Sequence, residues 1–215
     1  MNKGAKSKYI IGIDEVGRGP LAGPVAVGAV LIYAEHYKKV ARLFPVVKDS
    51  KKLSPKARAE WLVKIREAEQ AGFLLSSVAF VSPSAIDKKG IVPTIRTALA
   101  RALESIEKNY TTRAPFQGKA LEKARVLLDG GLCAPAEYKN QKTIIKGDEK
   151  ELVIALASIV AKVTRDARMV KLVKKFPHYG FEKHKGYGTR LHYAAIKKYG
   201  ITPHHRKSFL KGVVI

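Results

Sequence analysis

Asp14 and Glu15 stand side by side at the end of the apolar run Tyr9-Ile10-Ile11-Gly12-Ile13, and a small basic glycine loop, Gly17-Arg18-Gly19-Pro20, follows at once. Adjacent carboxylates leaving a strand would close a hydrophobic core badly. Hard carboxylate oxygens suit divalent metal, and cations suit a phosphate backbone. Two further aspartates lie at or just beyond short apolar runs: Asp129 after residues 124–128 and Asp148 after residues 143–145. If neighbouring strands bring the four together, their mutual repulsion demands a cation. Two magnesium ions about 4 Å apart would then activate a water on one side of a phosphodiester and stabilise the leaving oxygen on the other. Each aspartate also has a plainer use. Asp129-Gly130 suits a turn, and Asp148 suits a helix cap with Glu151 completing a capping box. Asp166 pairs with Lys162 on a helix surface without any metal.

Charge points the same way. The chain holds 41 Lys and Arg against 18 Asp and Glu, a formal charge of +23, and clustered cations release counterions from nucleic acid on binding. Residues 162–211 carry fourteen basic residues against Asp166 and Glu182, with Tyr179, Phe181, Tyr187 and Tyr193 interleaved. This is the candidate substrate-gripping region. His178, His184, His192, His204 and His205 form no tight metal spacing with cysteine, and the single Cys133 excludes both an internal disulfide and a cysteine-based zinc site. A reducing, cytoplasmic setting is expected. No segment reaches transmembrane length, and the basic N-terminus lacks the apolar stretch of a secretion signal.

The elements that must position these residues read as an α/β layer architecture with a mixed sheet. A second strand at 25–32 joins the first through a hairpin over 19–24. Ser54-Pro55 marks a helix start, and Ala57, Trp61, Leu62, Ile65 and Ala68 recur at helical spacing before Gly72. A third strand spans 74–81, a helix 94–108, a polar surface loop 109–123, and two short strands 124–128 and 143–145. Leu152, Val153, Leu156, Ile159, Val160 and Val163 supply a long apolar helix face, and Leu191, Ala194, Ala195 and Tyr199 read as a buried stripe on a last helix. At 215 residues one core suffices.

Taken in order, Asp14-Glu15-Val16-Gly17-Arg18-Gly19, Asp49-Ser50-Lys51-Lys52-Leu53, Asp129-Gly130, Lys146-Gly147-Asp148, the run from Ala157 to Asp166 and His184-Lys185-Gly186-Tyr187-Gly188-Thr189 closely resemble the bacterial ribonuclease HII family. The match runs from about Tyr9 to Phe209. The resemblance implies a ribonuclease H-like fold, with a catalytic core over 1–188 and a helical substrate-binding extension over 189–215. It implies two-metal hydrolysis, with Mg2+ or Mn2+, of RNA hybridised to DNA or embedded in it, leaving 3'-hydroxyl and 5'-phosphate ends. Asp14, Glu15, Asp129 and Asp148 fall on the family's metal-binding and catalytic quartet. Gly17, Arg18 and Gly19 match its reader of the ribose 2'-hydroxyl, and Tyr187 the tyrosine that stacks beside the sugar. A monomer acting in ribonucleotide removal and primer clearance, in contact with replication or repair proteins, is also implied. The type HIII relatives carry Ser-Gly-Lys after the Asp-Glu pair and an extra N-terminal domain, and this chain matches neither.

The residues support parts of this independently. A glycine-rich loop brings backbone amides and carbonyls against a sugar, and only RNA offers there a group that both donates and accepts; a tight hairpin needing glycine is the simpler role. Lys51 and Lys52, just ahead of Leu53 and the helix start, suit phosphate contacts. Arg18 should meet a phosphate or a rim carboxylate. A non-catalytic binding module would use the basic tail but leaves four carboxylates that repel phosphate unexplained. Another metal-dependent nuclease, such as a Holliday-junction resolvase, keeps the chemistry and changes the substrate.

Overall fold

β-branched runs and glycine turns build the sheet that carries the site. The computed structural model describes residues 7–45, 53–113 and 120–212. Its strands are β1 (Tyr9–Val16), β2 (Val25–Tyr33), β3 (Leu74–Val81), β4 (Arg125–Asp129) and β5 (Gln141–Ile144). They form one sheet in the order β3-β2-β1-β4-β5. The pairs β1/β2 and β2/β3 are antiparallel, whereas β1/β4 and β4/β5 are parallel. This is the mixed α/β sheet that the element order predicts, and the hairpin between β1 and β2 occurs where expected.

Alternation along β1 sorts its side chains onto two faces. Ile11 and Ile13 join Val25, Val27, Ala29 and Leu31 beneath α4 (Ile91–Arg113). The other face packs on α2 (Pro55–Gln70) and α6 (Leu152–Lys171), where Val30, Ile32, Leu127, Val153, Leu156 and Val160 meet. There α6 presses directly on the strands. A Cβ at Gly12 would lie 2.3 Å from the Val153 carbonyl carbon, and one at Gly28 would lie 2.4 Å from the Ala157 oxygen. Only glycine permits that approach, and it brings the middle of α6 over the end of β1.

Helix starts follow the capping signal. Ser54 Oγ accepts from Ala57 N at 3.1 Å, with Pro55 in the first turn. The same device at Ser82-Pro83 opens α3 (Pro83–Lys89), an element that sequence periodicity does not mark, as it does not mark α1 (Tyr37–Leu43).

Four expectations need correction. Residues 109–113, read as loop, are the last turns of α4, because Tyr110 is buried and its hydroxyl bonds the Tyr9 hydroxyl at 2.7 Å. Residues 120–123 form a 3-10 turn, and 114–119 lie outside the described residues. Ile145 is 76% exposed, since β5 is an edge strand that stops at Ile144. On α8 (Arg190–Tyr199) the buried residues are His192, Ala195 and Ile196, while Leu191 and Tyr199 are exposed. The face is rotated because His192 finds buried hydrogen-bond partners. Ala195, Ile196 and Leu210 pack with Tyr179 and with Phe181, which opens the short α7 (Phe181–His184), against Leu21 and Ala22 of the β1–β2 loop.

Candidate active site

The parallel ladder between β1 and β4 aligns Ile13 with Leu128. The next residue on each strand is an aspartate, Asp14 and Asp129, so the two emerge together at one edge of the sheet. Asp14 shares a face with Gly12 and points to α6, where Ser158 hydrogen-bonds its carboxylate; the Asp14 Oδ1 also accepts from Glu15 N at 2.8 Å. Asp129 Oδ1 accepts from Gly147 N at 2.6 Å. That bond ties β4 to the four-residue helical turn α5 (Gly147–Lys150), which carries the fully buried Asp148. Lys146 enters the turn in the left-handed region, φ 54°. The capping box does not form: Glu151 is the N-cap of α6 and makes no side-chain cap bond, and Asp148 lies inside α5.

Asp14 is 7% exposed. Burial pushes its carboxyl up to about 8, the Ser158 hydrogen bond opposes this, and repulsion from Asp129, Glu15 and Asp148 adds to it. A carboxyl that keeps its proton near neutrality because it is buried, with three further carboxylates adding their repulsion, is a place where a cation can replace the proton. Among the described residues no three His, Cys, Asp or Glu side chains are already gathered as a metal cage. The donors are nonetheless all hard oxygens, and the field at Asp14 couples all four. Both features fit a divalent cation of the magnesium type.

A cleft of about 310 Å³ opens over Asp14, Glu15 and Asp129. Arg58, Ser158 and Lys162 line it as well, and residue type and spacing alone assign none of them to the site. Ser158 and Lys162 lie one turn apart on α6, and their signal in the sequence is the run of small residues that lets this helix sit close to the strands. Lys162 Nζ is 3.0 Å from Asp166 Oδ1, the surface pair expected, and also lies 5.9 Å from the Tyr187 ring centroid. It therefore spans the cleft and the aromatic residue beside it. Tyr187 is 41% exposed.

Arg18 meets a rim carboxylate, with Nε 3.6 Å from Glu15 Oε1. Gly17 adopts φ +86°, and a Cβ there would approach Arg165 Nε to 2.3 Å. Gly19 differs. Nothing lies within 4 Å of the position its Cβ would take, so the protein leaves that side of the loop open. Lys51 and Lys52, with Asp49 and Ser50, lie outside the described residues. Of the histidines, His184, His192 and His205 are buried and bonded to one another or to backbone, while His178 stacks on Tyr199 at 4.9 Å.

A mixed sheet with carboxylates at its parallel strand ends, beside a basic glycine loop, defines a nuclease of the ribonuclease H-like class. Solved structures agree on the fold: an Archaeoglobus fulgidus ribonuclease HII, determined in complex with PCNA, superposes with a TM-score of 0.68 at 27% identity, covering 95% of this chain and 94% of that one. A Bst ribonuclease HIII in complex with Mn2+ shares the fold at 19% identity and a TM-score of 0.64, over 97% of this chain and 71% of that one. The family model described as Ribonuclease HII matches residues 11–212. The ribonuclease HII of Clostridioides difficile is 42% identical over 96% of this chain and 71% of its own length. The chain belongs to the ribonuclease HII family, and is thus an enzyme of the nuclease hydrolases.

Proposed function

We propose that the protein is an endoribonuclease that hydrolyses the RNA strand of RNA–DNA hybrids and cuts at ribonucleotides embedded in duplex DNA, leaving 3'-hydroxyl and 5'-phosphate ends. The observation that carries this is Asp14: a buried carboxyl coupled to Asp129, Glu15 and Asp148, in a cleft lined as far as Val16, the residue before the glycine loop. Asp14, Glu15, Asp129 and Asp148 would hold two divalent ions, Mg2+ or Mn2+, and the ribonuclease HIII complexed with Mn2+ supports that choice. When bound, such ions supply an acidified water and neutralise charge developing on the phosphate.

The chain's own groups do the rest. Ser158 fixes the orientation of the Asp14 carboxylate. Lys162 brings a cation to the cleft wall, where it offsets phosphate charge. The backbone of Gly17, Arg18 and Gly19 reads the 2'-hydroxyl, and the exposed Tyr187 ring packs beside the sugar. Lys51 and Lys52 contact phosphates, and residues 189–215 form the basic extension on the core. The archaeal relative's complex with PCNA supports contact with replication or repair proteins. Ribonucleotide removal and primer clearance by a cytoplasmic monomer complete the assignment; no described helix is long and apolar enough to cross a membrane.

The test is strand cleavage of DNA duplexes holding zero, one and four consecutive ribonucleotides, with Mg2+, with Mn2+ and with chelator. Cutting confined to ribonucleotide-containing duplexes and abolished by chelator is expected. Equal cutting of all-DNA duplexes or junctions would assign the apparatus to another nuclease class, and cutting in chelator would overturn the metal assignment.

A further inference from the structure

Two arginines outside the proposed chemistry, Arg165 and Arg206, head the largest fully buried side chains among the described residues. A buried guanidinium is costly unless its donors are taken, and here backbone carbonyls take them. Arg206 donates Nη2 to Gly17 O (2.6 Å), Nη1 to Arg18 O (2.9 Å) and Nε to Gly23 O (3.0 Å). Arg165 donates Nε to Pro24 O (2.9 Å), Nη2 to Ala22 O (3.3 Å) and Nη1 to Lys185 O (3.1 Å). Five of these six carbonyls belong to the β1–β2 loop, and the sixth lies two residues before Tyr187.

The geometry has a directional consequence. In a trans peptide the C=O and N–H point to opposite sides. The carbonyls of Gly17 and Arg18 share peptide planes with the N–H groups of Arg18 and Gly19. One guanidinium that draws both carbonyls down turns both N–H groups to the opposite side of the loop backbone, away from Arg206, and Gly19 has nothing within 4 Å of the position its Cβ would take. Hydrogen bonding of those carbonyls to a cation also polarises the peptides and strengthens their N–H groups as donors. Arg206 itself is held from the C-terminal segment. Its N–H donates to Leu21 O at 2.8 Å, His205 bridges Ala22, and its guanidinium lies 5.1 Å from the Phe209 ring centroid.

We infer that Arg206, supported by Arg165, is a positioning residue for ribonucleotide recognition: its guanidinium holds the Gly17–Arg18–Gly19 backbone with two adjacent N–H donors presented to the substrate. The inference rests on the ribonucleotide-reading role proposed above for that loop. It makes the segment after α8 part of specificity as well as of general grip.

The experiment compares wild type with Arg206→Lys, which keeps the charge but not the fork that grips three carbonyls. Binding to a duplex with one ribonucleotide and to the same all-DNA duplex is measured in Ca2+, with a thermal melt to establish folding. Wild type should prefer the ribonucleotide duplex. In Arg206→Lys that preference should fall about tenfold or more, the scale of one missing buried hydrogen bond, while all-DNA affinity stays within about twofold. Parallel losses on both duplexes, or an unchanged preference in a folded variant, would overturn the inference. If Arg206→Lys does not melt cooperatively, Phe209→Leu, which removes the ring beside the guanidinium while keeping an apolar side chain against the core, replaces it under the same melt and all-DNA controls: a fall in preference supports the role and an unchanged preference overturns it. A wild type with no preference and no ribonucleotide-dependent cleavage would instead remove the function proposed above, so the two failures are distinguishable.

Discussion

Acidification should unlock the histidine core of the C-terminal region. Thr202 N donates to His205 Nδ1 at 2.9 Å, so the His205 proton lies on Nε2 and is donated to His192 Nε2 at 3.0 Å. His192 is then left to donate Nδ1–H to the Tyr187 carbonyl at 3.0 Å. His184 stacks on His192 with centroids 4.3 Å apart, donates to Tyr179 O and accepts from Gly186 N. These bonds assign each ring one neutral tautomer. A second proton on His192 would set N–H against N–H. Burial accordingly lowers His192 and His205 to about 4 each, and repulsion within the cluster adds to it. Unfolded histidine titrates near 6.5, so in this window the unfolded chain binds protons that the native state refuses. The stability is present above about 6.5 and lost as pH falls toward 4. At pH 5.5 the loss is roughly 1.4 kcal/mol per ring, or about 3 kcal/mol for the pair.

Asp14 acts with the opposite sign. Its native carboxyl, near 8, stays protonated where the unfolded one is ionised, so the metal-free protein gains stability as pH falls through 8. Between pH 7.5 and 5.5 that gain is roughly 2.5 kcal/mol, nearly enough to mask the histidine loss. Asp14→Asn removes it. In chelator, the Asp14→Asn protein should lose about 3 kcal/mol between pH 7.5 and 5.5, a fall in Tm of roughly 6–12 °C for a chain of this size. Wild type should change little. Adding His192→Gln to Asp14→Asn should roughly halve the slope. An Asp14→Asn protein that melts equally at both pH values, or a slope identical to that of wild type, would refute the balance of neutral histidines against a protonated aspartate.

Asp14→Asn should also nearly abolish cleavage while hybrid binding in Ca2+ survives. Mn2+ affinity of wild type, read by calorimetry, should rise about 50-fold from pH 6 to pH 8, since binding must displace the Asp14 proton; an affinity independent of pH would break that link. Gly17→Ala should destabilise the fold, because its φ is positive and Arg165 occupies the space, whereas Gly19→Ala should leave the Tm unchanged and slow cleavage at a single ribonucleotide. Replacing the exposed Lys183, Lys197 and Lys198 by Gln should weaken binding to every duplex alike and flatten its salt dependence by up to about 0.9 for each phosphate that is no longer neutralised. An unchanged slope would move the phosphate-binding surface elsewhere. Truncation before α8 is no substitute, since it also removes Arg206 from beneath the loop.

What the sequence disclosed followed from local chemistry. β1 and β3 are legible because apolar β-branched runs stop at glycine or proline, and α2 because Ser54 and Pro55 cap it within one turn. The strand-end carboxylates are legible for the same reason: residue type and strand end are read together over a few positions. The misplaced features depend on distant partners. Residues 109–113 stay helical because Tyr110 reaches Tyr9, 101 residues away. The α8 face turns toward His192, a residue that hydropathy counts as polar, because His205 and the Tyr187 carbonyl satisfy its nitrogens.

The arginine clamp is the extreme case. No periodicity marks Arg206 as buried, since its three acceptors lie more than 180 residues earlier in the chain. The same separation bears on how the site assembles. The β1–β2 hairpin closes locally, and the β1–β4 pairing then aligns Asp14 with Asp129 over about 115 residues. Neither step orders the Gly17–Gly19 backbone, whose inward carbonyls acquire their donor only when the last segment docks. Contacts of such separation carry the largest loop-closure cost. Strand pairing thus brings Asp14 and Asp129 together without the C-terminal segment, whereas the Gly17 and Arg18 carbonyls take their donor from Arg206; under the proposed function, loosening that segment should alter the choice of cutting site more than the chemistry of cutting.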